Sequence, residues 1–228
     1  MAMECRSLTA KRVPEGGFLQ LNDHLLIGLS GAGPIAAERC AAKLVDAGAN
    51  SLISWGCAAA LAPVLIPGDL VLPDRIVCTD GLSIDTDVAW RKRLSSTLAG
   101  KIPVYAGLIA ESNRIVSDAD EKRAIHADKG AIALDMESAA VARVASRFHL
   151  PFLAVRSIVD PVDVTLPPSI QDAFDENGIL NIGKMLTRAL LHPSDFIDII
   201  RLGRHFGAAM KTLKQTAEIG RVTNFSVN

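Results

Sequence analysis

This 228-residue sequence has few aromatic residues and no excess of either charge. Only 4% of its residues are Phe, Trp or Tyr and its formal net charge is −1, so we do not expect the basic surface typical of nucleic-acid binding. Cysteine pairs with the spacing of zinc sites are also missing. The four cysteines are Cys5, Cys40, Cys57 and Cys78. We expect buried, reduced thiols in a cytoplasmic protein that binds no metal.

An apolar run of the kind that crosses a membrane is missing as well. Residues 47–68 carry no charge, but Asn50, Gly56, Pro63 and Pro67 interrupt them. This pattern favours a buried strand followed by a turn over a membrane span. The first residues do not resemble a secretory leader.

Short aliphatic segments are abundant, and they alternate with segments of helical pattern. The predicted strands are residues 25–29, 51–55, 70–72, 104–110, 131–134 and 152–159. The predicted helices follow Pro34, span residues 87–98 and 118–128, and follow residue 135. This alternation predicts an α/β fold in which helices flank a parallel or mixed sheet.

The C-terminal part has a different character. We predict one domain over residues 1–192, with a helical stretch over 167–191, an amphipathic basic helical extension over 193–220 and a disordered tail over 221–228. The extension either packs on its own domain or a neighbouring subunit, or lies on a membrane surface.

Two predicted strands end next to carboxylates. Asp135 and Glu137 follow residues 131–134, and Asp160 ends the next strand. Carboxyl ends of parallel strands are the usual place for a site in an α/β sheet, and charges there are costly to bury unless they are paired. The alternative is structural, with Asp135 as a helix cap and Asp160 as a turn residue before Pro161.

Residues 28–34 form a glycine-rich turn between a predicted strand and a helix. Such turns can present backbone N–H groups to an anion, which makes Ser30 and Gly31 phosphate candidates. The alternative is that the glycines only allow close packing of the helix on the sheet.

Several of these segments together resemble a known family. Residues 134–142 (Leu-Asp-Met-Glu-Ser-Ala-Ala-Val-Ala) and 151–160 (Pro-Phe-Leu-Ala-Val-Arg-Ser-Ile-Val-Asp) look like the motifs of purine nucleoside phosphorylases and methylthioadenosine/S-adenosylhomocysteine nucleosidases. Residues 29–37, 55–63 and 67–72 resemble further family motifs in the same order. The resemblance covers roughly residues 25 to 190 and implies a three-layer α/β/α sandwich with a mixed central sheet.

The resemblance also implies an enzyme that cleaves an N-glycosidic bond, with no cofactor and with phosphate or water as co-substrate. Glu137 would bind the ribose hydroxyls and Asp160 would protonate the purine, for which burial must raise the pKa of its carboxyl. The other implied contacts are Met136 under the ribose, Ile115 and Val116 beside the base, and Gly56 and Cys57 near the nucleophile. An aspartate at the base suits a 6-aminopurine, so we expect adenine.

The start of the chain departs from the family pattern. Family members begin with a strand ending in Gly-Ala-Met-Glu-Glu-Glu, whereas this chain begins Met-Ala-Met-Glu-Cys-Arg, so we expect Ala2, Met3 and Glu4 to be a remnant of that strand. In an alignment with the family, the position of the catalytic glutamate that activates water corresponds to Glu4 if a gap is introduced, or to Arg6 if it is not. Arg6 would suit phosphate, because its guanidinium is a fork of donors.

A narrower resemblance concerns hopanoid-associated phosphorylases, which act on adenosylhopane. They share the Glu-x-Arg start, a run like residues 160–168 and a helical extension. This implies a role in hopanoid biosynthesis, with the C-terminal helix at the inner membrane as a peripheral contact. The alternatives are a methylthioadenosine/S-adenosylhomocysteine nucleosidase and a non-catalytic nucleoside-binding protein. Family resemblance further implies a homodimer or a higher homo-oligomer.

Overall fold

The computed structural model describes residues 2–165 and 195–222. Its helices are α1 (Ala2–Leu8), α2 (Pro34–Asp46), α3 (Val88–Leu98), α4 (Ala119–Lys129), α5 (Ser138–Arg147) and α6 (Asp195–Val222). Its strands are β1 (Gly17–Asn22), β2 (Leu25–Leu29), β3 (Leu52–Ala60), β4 (Leu70–Val71), β5 (Arg75–Val77), β6 (Ser83–Asp85), β7 (Val104–Tyr105), β8 (Leu108–Glu111), β9 (Ala131–Asp135) and β10 (Phe152–Asp160).

Eight of these strands form one mixed sheet in the order β6-β5-β8-β9-β3-β10-β4-β7. Strands β3 and β10 pair in parallel along Leu52–Ala59, whereas β3 pairs antiparallel with β9 at Ala59 and Ala60. Strands β1 and β2 form a separate antiparallel hairpin. The mixed sheet between helices confirms the predicted fold class.

Strand β10 lies in the interior of the sheet, between β3 and β4, and contributes to a core on each face. Successive side chains of a strand point to opposite faces. Phe152, Ala154 and Ile158 accordingly join a cluster that includes alanines of α5. Leu153 and Val155 join a second cluster with side chains of α3 and α6. The small alanines of α5 let that helix approach the sheet closely, which completes the three layers.

Helix α6 packs on the same domain as the sheet. Leu213 and Ala217 are fully buried, and the helix lies against β10, α1 and α3. The Thr212 hydroxyl donates to the backbone oxygen of Gly68. These contacts match the first of the two alternatives for residues 193–220. Of the helices in the described ranges, none is long and apolar enough to cross a membrane. The predicted helix over 167–191 and most of the tail lie outside the described residues.

Three local predictions are corrected. Ala2, Met3 and Glu4 belong to helix α1 and not to a strand. Strand β3 continues through Ala60, where we expected the chain to leave the sheet after residue 55. The predicted strand 104–110 is divided at Gly107, whose φ of 150° lies outside the range that other residues adopt.

Candidate active site

A cavity of about 980 Å³ opens between β2 and β3 and contains most of the predicted site residues. Its walls come from α1, β2 and the turn after it, α2, β3, the start of α5 and β10. The site-forming side chains and backbone that line it are Glu4, Ser30, Gly31, Gly56, Cys57, Glu137 and Arg156. The chain therefore brings together residues from positions 4 to 156 at one place on the sheet.

Arg156 and Asp135 form a buried ion pair beneath this cavity. The Arg156 Nε donates to Asp135 Oδ2, and its Nη2 donates to the Ser54 hydroxyl at 2.6 Å. Both charged side chains are only 2% exposed, so each charge is compensated mainly by the other. Asp135 Oδ1 also accepts the backbone N–H of Ser138 at 2.9 Å and so caps α5. Asp135 is thus a helix cap, which is the structural alternative that the sequence offered for this residue.

Glu137 immediately precedes α5, and its side chain binds the backbone of the glycine-rich turn. Its Oε1 accepts the backbone N–H of Gly33 at 2.9 Å. Gly33 has a φ of 85°, a conformation that favours glycine. Burial and the neighbouring Asp135 raise the pKa of the Glu137 carboxyl, while Arg156 opposes that shift. The turn therefore presents an N–H group to a carboxylate of the chain itself, as helix N-termini do for anions.

The two phosphate candidates of the turn lie beside this contact. The Ser30 hydroxyl donates to the backbone oxygen of Gly31 at 2.7 Å. Gly28, just before them, is packed against α2, because a Cβ there would lie 2.5 Å from the Cys40 sulfur. Close packing therefore explains Gly28, and phosphate binding by Ser30 and Gly31 stays a prediction.

Glu4 reaches the cavity from α1. Its Oε1 accepts the backbone N–H of Cys57 at 2.8 Å, and the residue is 8% exposed. Gly56 makes this approach feasible, since a Cβ there would lie 2.8 Å from Glu4 Oε1 and 3.4 Å from Arg156 Nη1. Arg6, by contrast, is exposed and does not line the cavity. Of the two candidates at the start of the chain, the geometry favours Glu4.

Cys57 is the partly exposed member of four free thiols, while the other three are buried as expected. Burial, and secondly the charge of Glu4, raise the pKa of the Cys57 thiol well above its usual range. The thiol therefore stays protonated at neutral pH and is not an activated nucleophile. In the described ranges, no group of three His, Cys, Asp or Glu side chains could bind a metal ion.

Asp160 ends β10 and is paired with a lysine that the sequence analysis missed. Its Oδ2 lies 2.7 Å from the Nζ of Lys122, whose side chain is fully buried. Burial raises the pKa of the Asp160 carboxyl to about 6, while Lys122 opposes the shift. This shift has the direction that the resemblance requires of an acid at the purine. A carboxyl that titrates near neutral pH can act as a general acid.

The residues expected around the base do not line the large cavity, and neither does Asp160. Val116 is buried and lines a second cavity of about 380 Å³, whereas Ile115 and Met136 are half-buried. The strand register nevertheless relates Asp160 to Glu137. Asp160 pairs with Ala59 of β3, and Ala59 pairs with Leu134 of β9, three residues before Glu137. The structure thus brings Glu137 together with Glu4, Gly56 and Cys57, whereas Met136, Ile115, Val116 and Asp160 lie outside that cavity lining.

Residues 18–191 match the model of the phosphorylase superfamily. The chain belongs to that superfamily. The predicted family of phosphorylases and nucleosidases is therefore confirmed. The prediction of an enzyme of the nucleoside phosphorylase or nucleosidase family is confirmed with it.

Relatives of this superfamily member include nucleosidases. The chain is 30% identical over 162 residues to a 5'-methylthioadenosine/S-adenosylhomocysteine nucleosidase of Buchnera aphidicola, a match that covers 63% of this chain and 64% of the relative's length, just under two thirds. The crystal structure of a nucleosidase of the same name from Neisseria meningitidis, in complex with methylthio-immucillin-A, has a TM-score of 0.70 at 21% identity, covering 97% of this chain and 96% of that one. A native futalosine hydrolase of Helicobacter pylori has a TM-score of 0.68 at 19% identity, covering 96% and 94%. Both structures show the fold.

Proposed function

We propose that this protein hydrolyses the N-glycosidic bond of a 5'-modified adenosine, such as methylthioadenosine or S-adenosylhomocysteine, and releases adenine. The observation that carries the proposal is the position of Glu4. Its carboxylate is held on the Gly56–Cys57 backbone, beside Arg156 and in the same cavity as Glu137. A base next to a sugar-binding carboxylate is the arrangement that hydrolysis of a nucleoside requires.

The proposed chemistry assigns one step to each carboxyl group. Glu4 accepts a proton from a water molecule whose oxygen bonds to C1' of the ribose, and the bond from C1' to the purine breaks. Glu137 binds the ribose hydroxyls, where a negative charge stabilises the cationic sugar more in the transition state than in the ground state. Asp160 donates its proton to the leaving purine. With a pKa of about 6, this carboxyl is protonated in a useful fraction of molecules near neutral pH.

Three observations support water over phosphate as the nucleophile. Two carboxylates, those of Glu4 and Glu137, line the cavity and would repel a phosphate dianion. The guanidinium of Arg156 is already bound by Asp135 and Ser54. Arg6 is exposed away from the cavity lining. The named nucleosidase relatives agree with this preference.

Adenosylhopane in hopanoid biosynthesis is the second candidate. It rests on the narrower resemblance, and the names of the relatives favour the nucleosidase instead. The fully buried residues of helix α6 pack on the sheet. A membrane contact would therefore involve the exposed side chains of this helix, such as Ile200, which is 43% exposed. Homo-oligomer formation, a cytoplasmic location and the lack of a cofactor are parts of the same proposal.

The deciding experiment measures adenine release from methylthioadenosine, adenosine and an adenosine with a long 5'-alkyl group, each with and without phosphate. We expect phosphate-independent release, fastest from methylthioadenosine. Phosphate-dependent release that prefers the alkyl substrate would replace this proposal with the lipid phosphorylase. No release from any substrate would favour a non-catalytic nucleoside-binding protein.

A variant pair links the activity to the cavity. Glu4→Gln removes the proposed base and should lower kcat by about 10²- to 10⁴-fold. Glu38→Gln is the matched control, because Glu38 pairs with Arg147 at the exposed surface. An equal rate in both variants would contradict the role of Glu4.

A further inference from the structure

Lys122 is one of the largest fully buried side chains in the described part of the chain, and it is charged. Its Nζ lies 2.7 Å from Asp160 Oδ2 and donates to the backbone oxygens of Pro161 and Val164 at 3.2 Å and 2.8 Å. An ammonium group has three N–H donors, so all three have acceptors here. A lysine is almost never fully buried unless it is paired, and this one has no remaining capacity for water or for a substrate.

The two oxygens of Asp160 therefore have different surroundings. Oδ2 is bound by Lys122, whereas Oδ1 is a buried atom with no hydrogen-bond partner among the residues described. An unpartnered buried polar atom is unfavourable, and a catalytic role is one of the explanations for such an atom in a native structure. Lys122 thus fixes which oxygen remains available.

Helix α4 also holds the segment that follows β10. The backbone N–H of Ala119 donates to the Thr165 hydroxyl at 3.2 Å, and the Arg123 Nη2 donates to Asp163 at 2.9 Å. Together with the two carbonyl contacts of Lys122, these bonds tie residues 161–165 to the first turns of α4. The direction of the Asp160 carboxyl is therefore set by α4 as well as by its own strand.

We propose that Lys122 is a positioning residue that binds Asp160 Oδ2 and leaves Oδ1 as the oxygen that delivers the proton to the leaving purine. This inference deepens the proposed function and rests on it. Lys122 itself does not touch the substrate. It acts through the geometry and the charge of Asp160, as residues behind a functional side chain do in many sites.

The charge of Lys122 has a second effect on the same group. A nearby cation favours the ionised carboxylate, so removal of Lys122 leaves burial unopposed and raises the pKa of Asp160 further. In the parts of the chain described, Lys122 is the charged side chain that acts on Asp160, since Asp163 pairs with Arg123 at the surface. The alkaline limb of the rate profile, where the acid loses its proton, should therefore move to higher pH without Lys122.

The test compares Lys122→Met, Asp160→Asn and the double variant by adenine release. We expect Lys122→Met to lower kcat by about 10- to 100-fold, because the acid is retained but loses its orientation. In the Asp160→Asn background the same change should have no further effect, since the two residues act as one unit. The control is Lys92→Met, which removes an exposed lysine of α3, far in the chain from the contacts of Asp160. It should leave kcat and the pH profile unchanged.

A second measurement does not need activity. The Asp160 carboxyl is titrated by carbon NMR in the substrate-free protein and in Lys122→Met, with circular dichroism as the check on folding. We expect a higher pKa in the variant. If Lys122→Met is unfolded, the same titration is made on Lys122→Gln, whose amide can still donate to a carbonyl oxygen but carries no charge, and the same rise in pKa is expected.

The outcomes separate the two proposals. An equal loss of activity in both backgrounds, or an unchanged pKa in Lys122→Met, overturns the positioning role and leaves the proposed function intact. If the unaltered protein releases no adenine while the titration behaves as expected, the proposed function fails and only the contact between Lys122 and Asp160 remains.

Discussion

At the scale of single residues, Gly56 determines where Glu4 can lie. The carboxylate of Glu4 occupies the space that a Cβ at position 56 would need, with Arg156 on the other side. A single missing methyl group therefore allows a helix at the start of the chain to bring an acid against the middle of β3. The position of Glu4, and with it the catalytic role proposed for its carboxylate, depends on residue 56 as well as on Glu4 itself.

Gly56→Ala should consequently displace Glu4. Because the group in contact is the end of a flexible side chain, we expect the fold to survive, while kcat falls by about 10²-fold through misplacement of the base. The measurement is adenine release together with a thermal melt. Gly207→Ala in α6 is the control, since open space surrounds Gly207. A normal rate in Gly56→Ala would show that the position of Glu4 is not critical.

Glu137→Gln tests the sugar contact. The amide oxygen of glutamine can still accept the N–H of Gly33, so the glycine-rich turn should be retained. Loss of the negative charge near the cationic sugar should lower kcat by about 10²-fold. A change confined to KM would argue against this role, because it would indicate loss of uniform binding.

The sequence identifies these carboxylates but not the cations that bind them. Asp135, Glu137 and Asp160 stand out because they follow apolar strands. Lys122 lies in a helix with a polar sequence, where a lysine is normally solvated. Its burial depends on residues 161–165 folding over α4, and local pattern carries no information about such a distant contact. Arg156 appears within a matched motif, but only the structure shows it beneath the cavity.

At the scale of elements, length decides what the sequence can predict. The sequence predicts strand β10 and helix α5 because their nine and ten residues are enough to show an apolar run or a helical period. Strands β5 and β6 have three residues each, too few for any period, and no predicted strand covers them. The extension of β3 through Ala60 depends on pairing with β9 and β10, which is not a local property.

Helix α6 should contribute strongly to stability. Leu213 is fully buried against the sheet and α3, so Leu213→Ala should lower the free energy of unfolding by about 2–5 kcal/mol. Ile200→Ala, on the same helix and 43% exposed, should change it by less than about 0.5 kcal/mol. Urea denaturation measures both. Equal effects would mean that α6 is not docked as described.

At the scale of the whole molecule, buried carboxyl groups make stability depend on pH. The pKa of Asp160 rises from 3.8 to about 6 on folding, so the folded protein holds this proton more tightly than the unfolded chain. The stabilisation from this group is therefore present below about pH 4 and is lost as the pH rises to about 6. The shift corresponds to at most about 3 kcal/mol.

The measurement is the free energy of unfolding, by urea, at several values between pH 4 and 7. We expect the stability of the unaltered protein to fall relative to that of Asp160→Asn over this range, since the variant has no carboxyl at position 160. Parallel curves for the two proteins would contradict the raised pKa. At this scale the sequence predicts the layers and the family, whereas the attachment of α6 to the sheet rests on side chains far apart in the chain.

The position of β3 beside the large cavity has a consequence for amide hydrogen exchange. Leu52 donates its N–H toward β10, so alternation along the strand directs the N–H groups of Ser54 and Gly56 the same way. The N–H groups of Ile53 and Cys57 point to the cavity side, where Glu4 accepts that of Cys57. Exchange should thus alternate in speed along β3, and Glu4→Gln should accelerate it chiefly at Cys57. One strand would then report both on the stability of the sheet and on the docking of α1.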